Sequence, residues 1–276
     1  MRSLFDAAQA ILAVRDAEDK RRFTVAAGAA WSAGLLGLEA RESVQPIGMP
    51  GRPERPRLVH PRQVPRRAIH TVEGRAALIH AIAHIEFNAI NLAWDAVYRF
   101  RGMPRDYYSD WVQVACEEAA HFALLRERLK AYGHDYGDFD AHDGLWEMAV
   151  KTAHDPLLRM ALVPRVLEAR GLDVTPGMIE RLSRAGDTET VAILRVILRD
   201  EVGHVAIGSR WFKHCCAQRG LEPEPIFQRL LAEYLSGPPR GPFNEEARLK
   251  AGFSVGEMAE LKARDAEAEA RARAGR

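Results

Sequence analysis

The chain has 276 residues, 47% apolar and 28% charged, with a net charge of +1. This is an ordinary globular composition, long enough for one large domain with additions or two small ones, and it gives no global field for nucleic acid or a membrane surface. Cys116, Cys215 and Cys216 form no C-x-x-C pair, which fits reduced thiols rather than a disulfide framework. With no signal peptide and no apolar run of about 18 residues, the expectation is a soluble, cytoplasmic protein without a membrane partner.

Residues 3–20 and 23–42 read as two amphipathic N-terminal helices broken near Lys20-Arg21-Arg22, the second presenting Trp31, Leu35, Leu36 and Leu38 for docking. Over 45–68 the character changes, with Pro46, Pro50, Pro53, Pro56, Pro61 and Pro65 punctuating the run. Proline at that density excludes helix and central strand, so the segment is an extended strap. It sets Arg52, Arg55, Arg57, Arg62, Arg66 and Arg67 against a lone Glu54. No aromatic interleaves the arginines, as stacking on single-stranded RNA requires. The strap is therefore expected to lie over an acidic face of its own protein or of a partner, with RNA as the alternative.

From Thr71, a plausible cap, a helix runs to about Phe100 with the inward stripe Ile79, Ile82, Ala83, Glu86, Ala89, Ile90, Ala93 and Val97. Gly102-Met103-Pro104 makes a turn, and a second helix spans about 105–131. A third stretch, about 143–170, is expected to be interrupted or kinked at Pro156 and Pro164. Thr175-Pro176 reads as the start of a short helix, with proline at its first position. A fourth long helix covers about 188–218, and a shorter one 226–235. Beyond them lie the loop 237–242, a capping box Ser254-x-x-Glu257 and a charged, fraying helical tail. No segment alternates as a strand does, so the class is all-α. The organisation read from these boundaries is 1–44 N-terminal helices, 45–68 strap, 69–235 helical bundle and 236–276 C-terminal loop and tail.

Two runs carry the chemistry: Glu118-x-x-His121 and Glu201-x-x-His204. Three residues along a helix put both side chains on one face, and the apolar periodicity points that face inward. Glu86 and Glu168 are also inward, 32 and 33 residues before Glu118 and Glu201. One helix, a short turn and half the next helix account for both intervals. The pattern is a ferritin-like four-helix bundle, with one Glu from each of two helices and Glu-x-x-His from the other two. Four buried carboxylates repel one another and take up protons unless cations are present. Two divalent ions balance them, leave both histidines neutral and keep coordination positions open. Carboxylate and imidazole without thiolate suit iron or manganese, Fe/Fe first and Mn/Fe as the alternative. His84, Arg165 and Asp200 are candidates to hydrogen-bond or neutralise the ligands from behind, although His80 and His84 are expected to be capped or partly exposed. The kink at Pro164, one turn before Glu168, is expected to free backbone groups and open a pocket.

From about Leu58 to Asn244 the chain resembles a bacterial ferritin-like family known mainly as a domain of unknown function. The stretches His84-Ile85-Glu86-Phe87-Asn88-Ala89-Ile90, His142-Asp143-Gly144-Leu145-Trp146-Glu147-Met148, Val166-Leu167-Glu168-Ala169-Arg170-Gly171-Leu172-Asp173, Arg199-Asp200-Glu201-Val202-Gly203-His204 and Gly241-Pro242-Phe243-Asn244 carry the resemblance. It implies a dimetal bundle with the six ligands already derived, and it supplies no substrate. In ligand pattern alone the chain is also similar to the diiron monooxygenases that hydroxylate modified tRNA, an analogy at the level of fold.

Three functions stay open. The preferred one is an oxygen-activating oxidase or hydroxylase acting on a small molecule or modified RNA, with electrons from a separate donor protein, since no flavin, haem or iron–sulfur motif is present. The second is iron handling or peroxide detoxification, against which the extra segments and the missing C-x-x-C module argue. The third is a non-enzymatic RNA-binding or scaffold protein with structural metals. A homodimer through an exposed bundle face is a further expectation.

Overall fold

Asp16 starts the second helix of the chain by accepting a hydrogen bond from the Asp19 amide, as a helix N-cap does. In the computed structural model, which describes residues 2–40, 43–65, 68–235, 237 and 239–274, α1 (Leu4–Ala13) therefore ends before Asp16 and α2 (Ala17–Ser32) follows it. The break expected at Lys20-Arg21-Arg22 lies inside α2. Arg21 and Arg22 pair with Glu18 and Asp19 one turn back, while Lys20 turns inward and is fully buried. The second helix is also shorter than its apolar residues suggested, because Leu36–Gly37 (β2) leave it to pair in parallel with Arg2–Ser3 (β1). Among the described residues, strand structure goes no further than this pair and one bridge between Leu58 and Ala141. The fold is an all-α helical bundle.

The chain divides into two compact units, Met1–Lys151 with Arg181–Ile193 and Thr152–Glu180 with Leu194–Arg276. The first is built on α3 (Val72–Arg99) and α4 (Arg105–Ala131), with α1 against α3 and α2 against α4. Thr71 caps α3 by accepting from the Gly74 amide at 3.0 Å. Gly102, at φ 84°, makes the turn between α3 and α4, a backbone conformation that side chains other than glycine disfavour. By length and composition α3 is apolar enough to cross a bilayer, but 78% of its most apolar window is buried, as for a core helix.

The strap crosses this unit in extended form, apart from one short 3-10 turn at Pro61–Gln63. Gln45 donates its amide to the Tyr98 hydroxyl, Gly51 to the Leu12 carbonyl and Val59 to the Ala141 carbonyl. Arg57 forms a two-pronged pair with Asp140, and Arg52 donates to the carbonyls of Pro53 and Pro56. The strap thus lies on its own protein at Arg57, as expected; Arg66 and Arg67 lie outside the described residues, as does Pro238 of the loop 237–242. The α5 helix (Gly144–Lys151) follows, and Trp146 donates to the Gly48 carbonyl of the strap at 2.7 Å.

The second unit opens with α6 (Pro156–Leu162), capped by Asp155. The α-helix is interrupted at Pro164, as expected: residues Val163–Glu168 widen into a π-helical segment that leads into α7 (Ala169–Arg184). Pro176 does not start a helix, but sits inside α7. A proline there strips the carbonyl four residues back of its donor, and Asn244 Nδ2 supplies the missing bond to Leu172 O at 3.2 Å. The remaining elements are α8 (Thr188–Gln218), α9 (Pro223–Tyr234), α10 (Glu245–Lys250) and α11 (Val255–Ala274). The capping box of α11 forms as expected: Glu257 N donates to Ser254 Oγ, and Ser254 N to Glu257 Oε2, both at 2.9 Å. Its first turns are not solvated, since Met258 and Leu261 are buried.

Candidate metal centre

The apolar stripe of α3 carries Glu86 into the core with 2% exposure, and α4 brings Glu118 and His121 to 0% and 1%. His121 Nδ1 stands 3.2 Å from Glu86 Oε2 and 3.3 Å from Glu118 Oε2. The three residues each offer a ligand atom, and these lie within 4.8 Å of one another. Around an octahedral ion with bonds of about 2.1 Å, adjacent ligand atoms are separated by roughly 3 Å, so the two short spacings suit a shared cation. Burial opposes a charge on His121, but the carboxylates of Glu118 and Glu86 outweigh it and hold the imidazolium up to about 11. The cluster therefore favours positive charge. Phe87 and Phe122, which follow Glu86 and His121, pack on each other and on Tyr136 with ring centroids 5.1–5.6 Å apart.

His80 and His84 are not partly exposed but buried, because the loop 133–142 folds over them. Gly137 N donates to His80 Nε2 at 2.9 Å. His84 Nε2 lies 3.1 Å from the His142 carbonyl and Nδ1 lies 2.9 Å from the Tyr136 hydroxyl. Asn88 Nδ2, one turn on in α3, stands 3.0 Å from the same Nε2. Desolvation lowers both histidines to about 4, which keeps them neutral at neutral pH. The His84 ring is thus held by Tyr136, His142 and Asn88.

In the second unit, Glu168, Glu201 and His204 are buried at 9%, 8% and 0% exposure. Glu201 Oε1 and His204 Nδ1 are 3.9 Å apart on successive turns of α8. Glu168 is the last residue of the π-helical segment. That segment packs against α8 at its closest point, where a Cβ added to Gly208 would lie 2.3 Å from Pro164 Cβ and Cγ. Gly208 is one turn beyond His204. Asp200 pairs with its neighbour Arg199, Nε to Oδ1 at 2.8 Å. Arg165 is buried and donates from Nη2 to both Glu257 oxygens at 2.7 Å, an interhelix salt bridge.

Three groups were missed from sequence. The sequence places Lys20 at a helix break and Glu257 in a cap, and it does not single out Tyr136. For Lys20 a signal existed, since it falls in step with Thr24, Ala27 and Trp31 on the buried face of α2. Nothing in the sequence marks Glu257 as the partner of Arg165, 92 residues away.

Buried Glu/His clusters of this kind can hold metal ions. A family model described as "Protein of unknown function (DUF455)" matches residues 13–259. The chain belongs to that family. It is also similar to an uncharacterized protein of Haemophilus influenzae, with 51% identity over 213 residues that cover 75% of this chain and 74% of the relative. No solved structure matches. Membership of the family carries no activity with it.

Proposed function

We propose that this protein is a ferritin-like dimetal oxidase or hydroxylase, Fe/Fe or Mn/Fe, that uses O2 to oxidise an organic substrate in the cytoplasm. The observation that carries the reading is the buried donor cluster Glu86, Glu118 and His121, with the same residue types buried as Glu168, Glu201 and His204. Two divalent ions would neutralise the four carboxylates, and six ligands leave positions open on both ions. When bound, such ions supply the oxidising chemistry.

The protein's own contribution is to hold the donors and keep water away. Apolar neighbours Ile79, Ala83, Ala115 and Leu125, each fully buried, raise the cost of leaving the carboxylates without a cation. Phe87 and Phe122, packed with Tyr136, add buried apolar surface to the helices that carry the first cluster. The substrate class, a small molecule or a modified RNA, is set by segments outside the ligand helices. Electrons come from a separate donor protein or from the substrate.

The test is direct. Protein loaded anaerobically with Fe(II), and in parallel with Mn(II) and Fe(II), is mixed with O2 in a stopped-flow spectrometer with an oxygen electrode alongside. Uptake of O2 with a transient visible absorption in either form is the expected result. Stable metal binding with no O2 uptake in both forms would overturn the oxidase reading and leave a structural or storage site.

A further inference from the structure

The π-helical segment Val163–Glu168 is the least regular part of the long helices, and Glu168 is its last residue. Widened turns of this kind are rare inside α-helices and are frequent at functional sites. Something must hold this one, and three contacts do. Pro164 rests directly on Gly208 of α8. Arg165 Nε donates to Ser209 Oγ of the same helix at 3.2 Å. Arg165 Nη2 donates to both oxygens of Glu257 on α11.

The third contact is costly for what packing alone demands. Arg165 and Glu257 are 1% and 2% exposed, and the guanidinium carbon lies 4.8, 4.1 and 4.4 Å from the ring centres of Phe212, Phe227 and Phe253. Taking two such charges out of water costs several kcal/mol each, and apolar side chains of similar volume often serve stability as well or better. What apolar side chains lack is direction. A two-pronged pair fixes the guanidinium in one plane, and here it fixes a residue one turn before Glu168. Glu257 is fixed in its turn, because its carboxylate also accepts from the Ser254 amide and so belongs to the cap of α11.

We propose that the C-terminal helix is a working part of the metal centre: Glu257, acting through Arg165, sets the π-helical turn that aims Glu168. Glu257 is then a positioning residue, not a ligand. The inference rests on reading Glu168 as a metal ligand, and it assigns α11 a role that a fraying tail does not have.

Full-length protein is compared in four forms: wild type, Glu168→Ala, Glu257→Gln, and the double variant Arg165→Met with Glu257→Met, which removes both charges while keeping bulk. Each is titrated with Co(II) as the probe, read by its visible ligand-field spectrum and by bound metal per chain, with thermal unfolding measured in parallel. Glu168→Ala should weaken one Co(II) site at least tenfold. The double variant should unfold within a few degrees of wild type yet weaken that same site at least threefold and shift its spectrum. Glu257→Gln keeps the hydrogen-bonding shape and should give a smaller shift in the same direction, which keeps the test decisive if the double variant fails to fold. Wild-type affinity and spectrum in folded Glu257→Gln and in the double variant would overturn the positioning role while leaving the ligand reading intact. An unchanged Glu168→Ala would overturn the ligand reading itself, and the inference with it.

Discussion

At the scale of single residues, Glu86 is the sharpest probe of the metal reading. It sits in the middle of a 28-residue core helix, belongs to no Glu-x-x-His run, and owes its place in the cluster only to the interval before Glu118. Glu86→Ala should lose at least one of two ions per chain, as completely as His121→Ala does, when metal content is measured by mass spectrometry after dialysis. Circular dichroism checks that the helices persist. A Glu86→Ala protein with two tightly held ions would break the pairing of single Glu with Glu-x-x-His. The burial of all six candidate ligands was legible in the sequence, because helical periodicity alone assigns residues 86, 118, 121, 168, 201 and 204 to inward faces. The same periodicity cannot say which distant side chain a buried Arg165 will meet. It also gave no warning that the loop 133–142 would bury His80 and His84, since burial by a loop leaves no periodic trace.

At the scale of elements, long helices with strong caps were readable to within a residue or two: α3 from Thr71, α4 before Gly133 and α11 from its capping box. A misreading came where a local rule met a tertiary partner. Pro176 looked like a helix start, but Asn244 satisfies the carbonyl that proline orphans, so the helix continues. At Pro164 the expected interruption takes the form of a π turn whose proline rests on Gly208. That contact gives a paired prediction within one helix. Gly208→Ala forces a methyl to 2.3 Å from Pro164, an overpacking expected to cost about 1–3 kcal/mol in urea unfolding. Gly203→Ala, exposed on the same helix with nothing within 4 Å of its added Cβ, should be neutral or stabilising by up to about 1 kcal/mol, since alanine is the better helix former. Equal effects at the two positions would mean that Pro164 does not rest on Gly208.

At the scale of the whole molecule, the pH dependence of unfolding should carry the mark of Lys20. Its ammonium is buried against the face of Phe87, 5.5 Å from the ring centre, and donates to Asn91 Oδ1 and to the Leu12 carbonyl in the last turn of α1. These bonds tie α2 to α1 and α3, but neither acceptor is a carboxylate, and desolvation lowers the amine from its usual 10.5 to about 7. The unfolded chain keeps this proton up to its ordinary value, whereas the folded chain releases it above about 7. Between those limits the unfolded state binds more protons, so stability rises with pH, by at most about 1.4 kcal/mol per unit from this group. Below pH 7 both states are charged and the burial cost is present in full. Lys20→Met removes the titration, and the difference between variant and wild type cancels every other group. In urea unfolding, the advantage of Lys20→Met over wild type should therefore shrink by about 2 kcal/mol from pH 6.5 to 9. A difference that stays constant over that range would show that the lysine reaches water when folded. It would also require another reason for the chain to hold a basic residue where helix, core and strap converge.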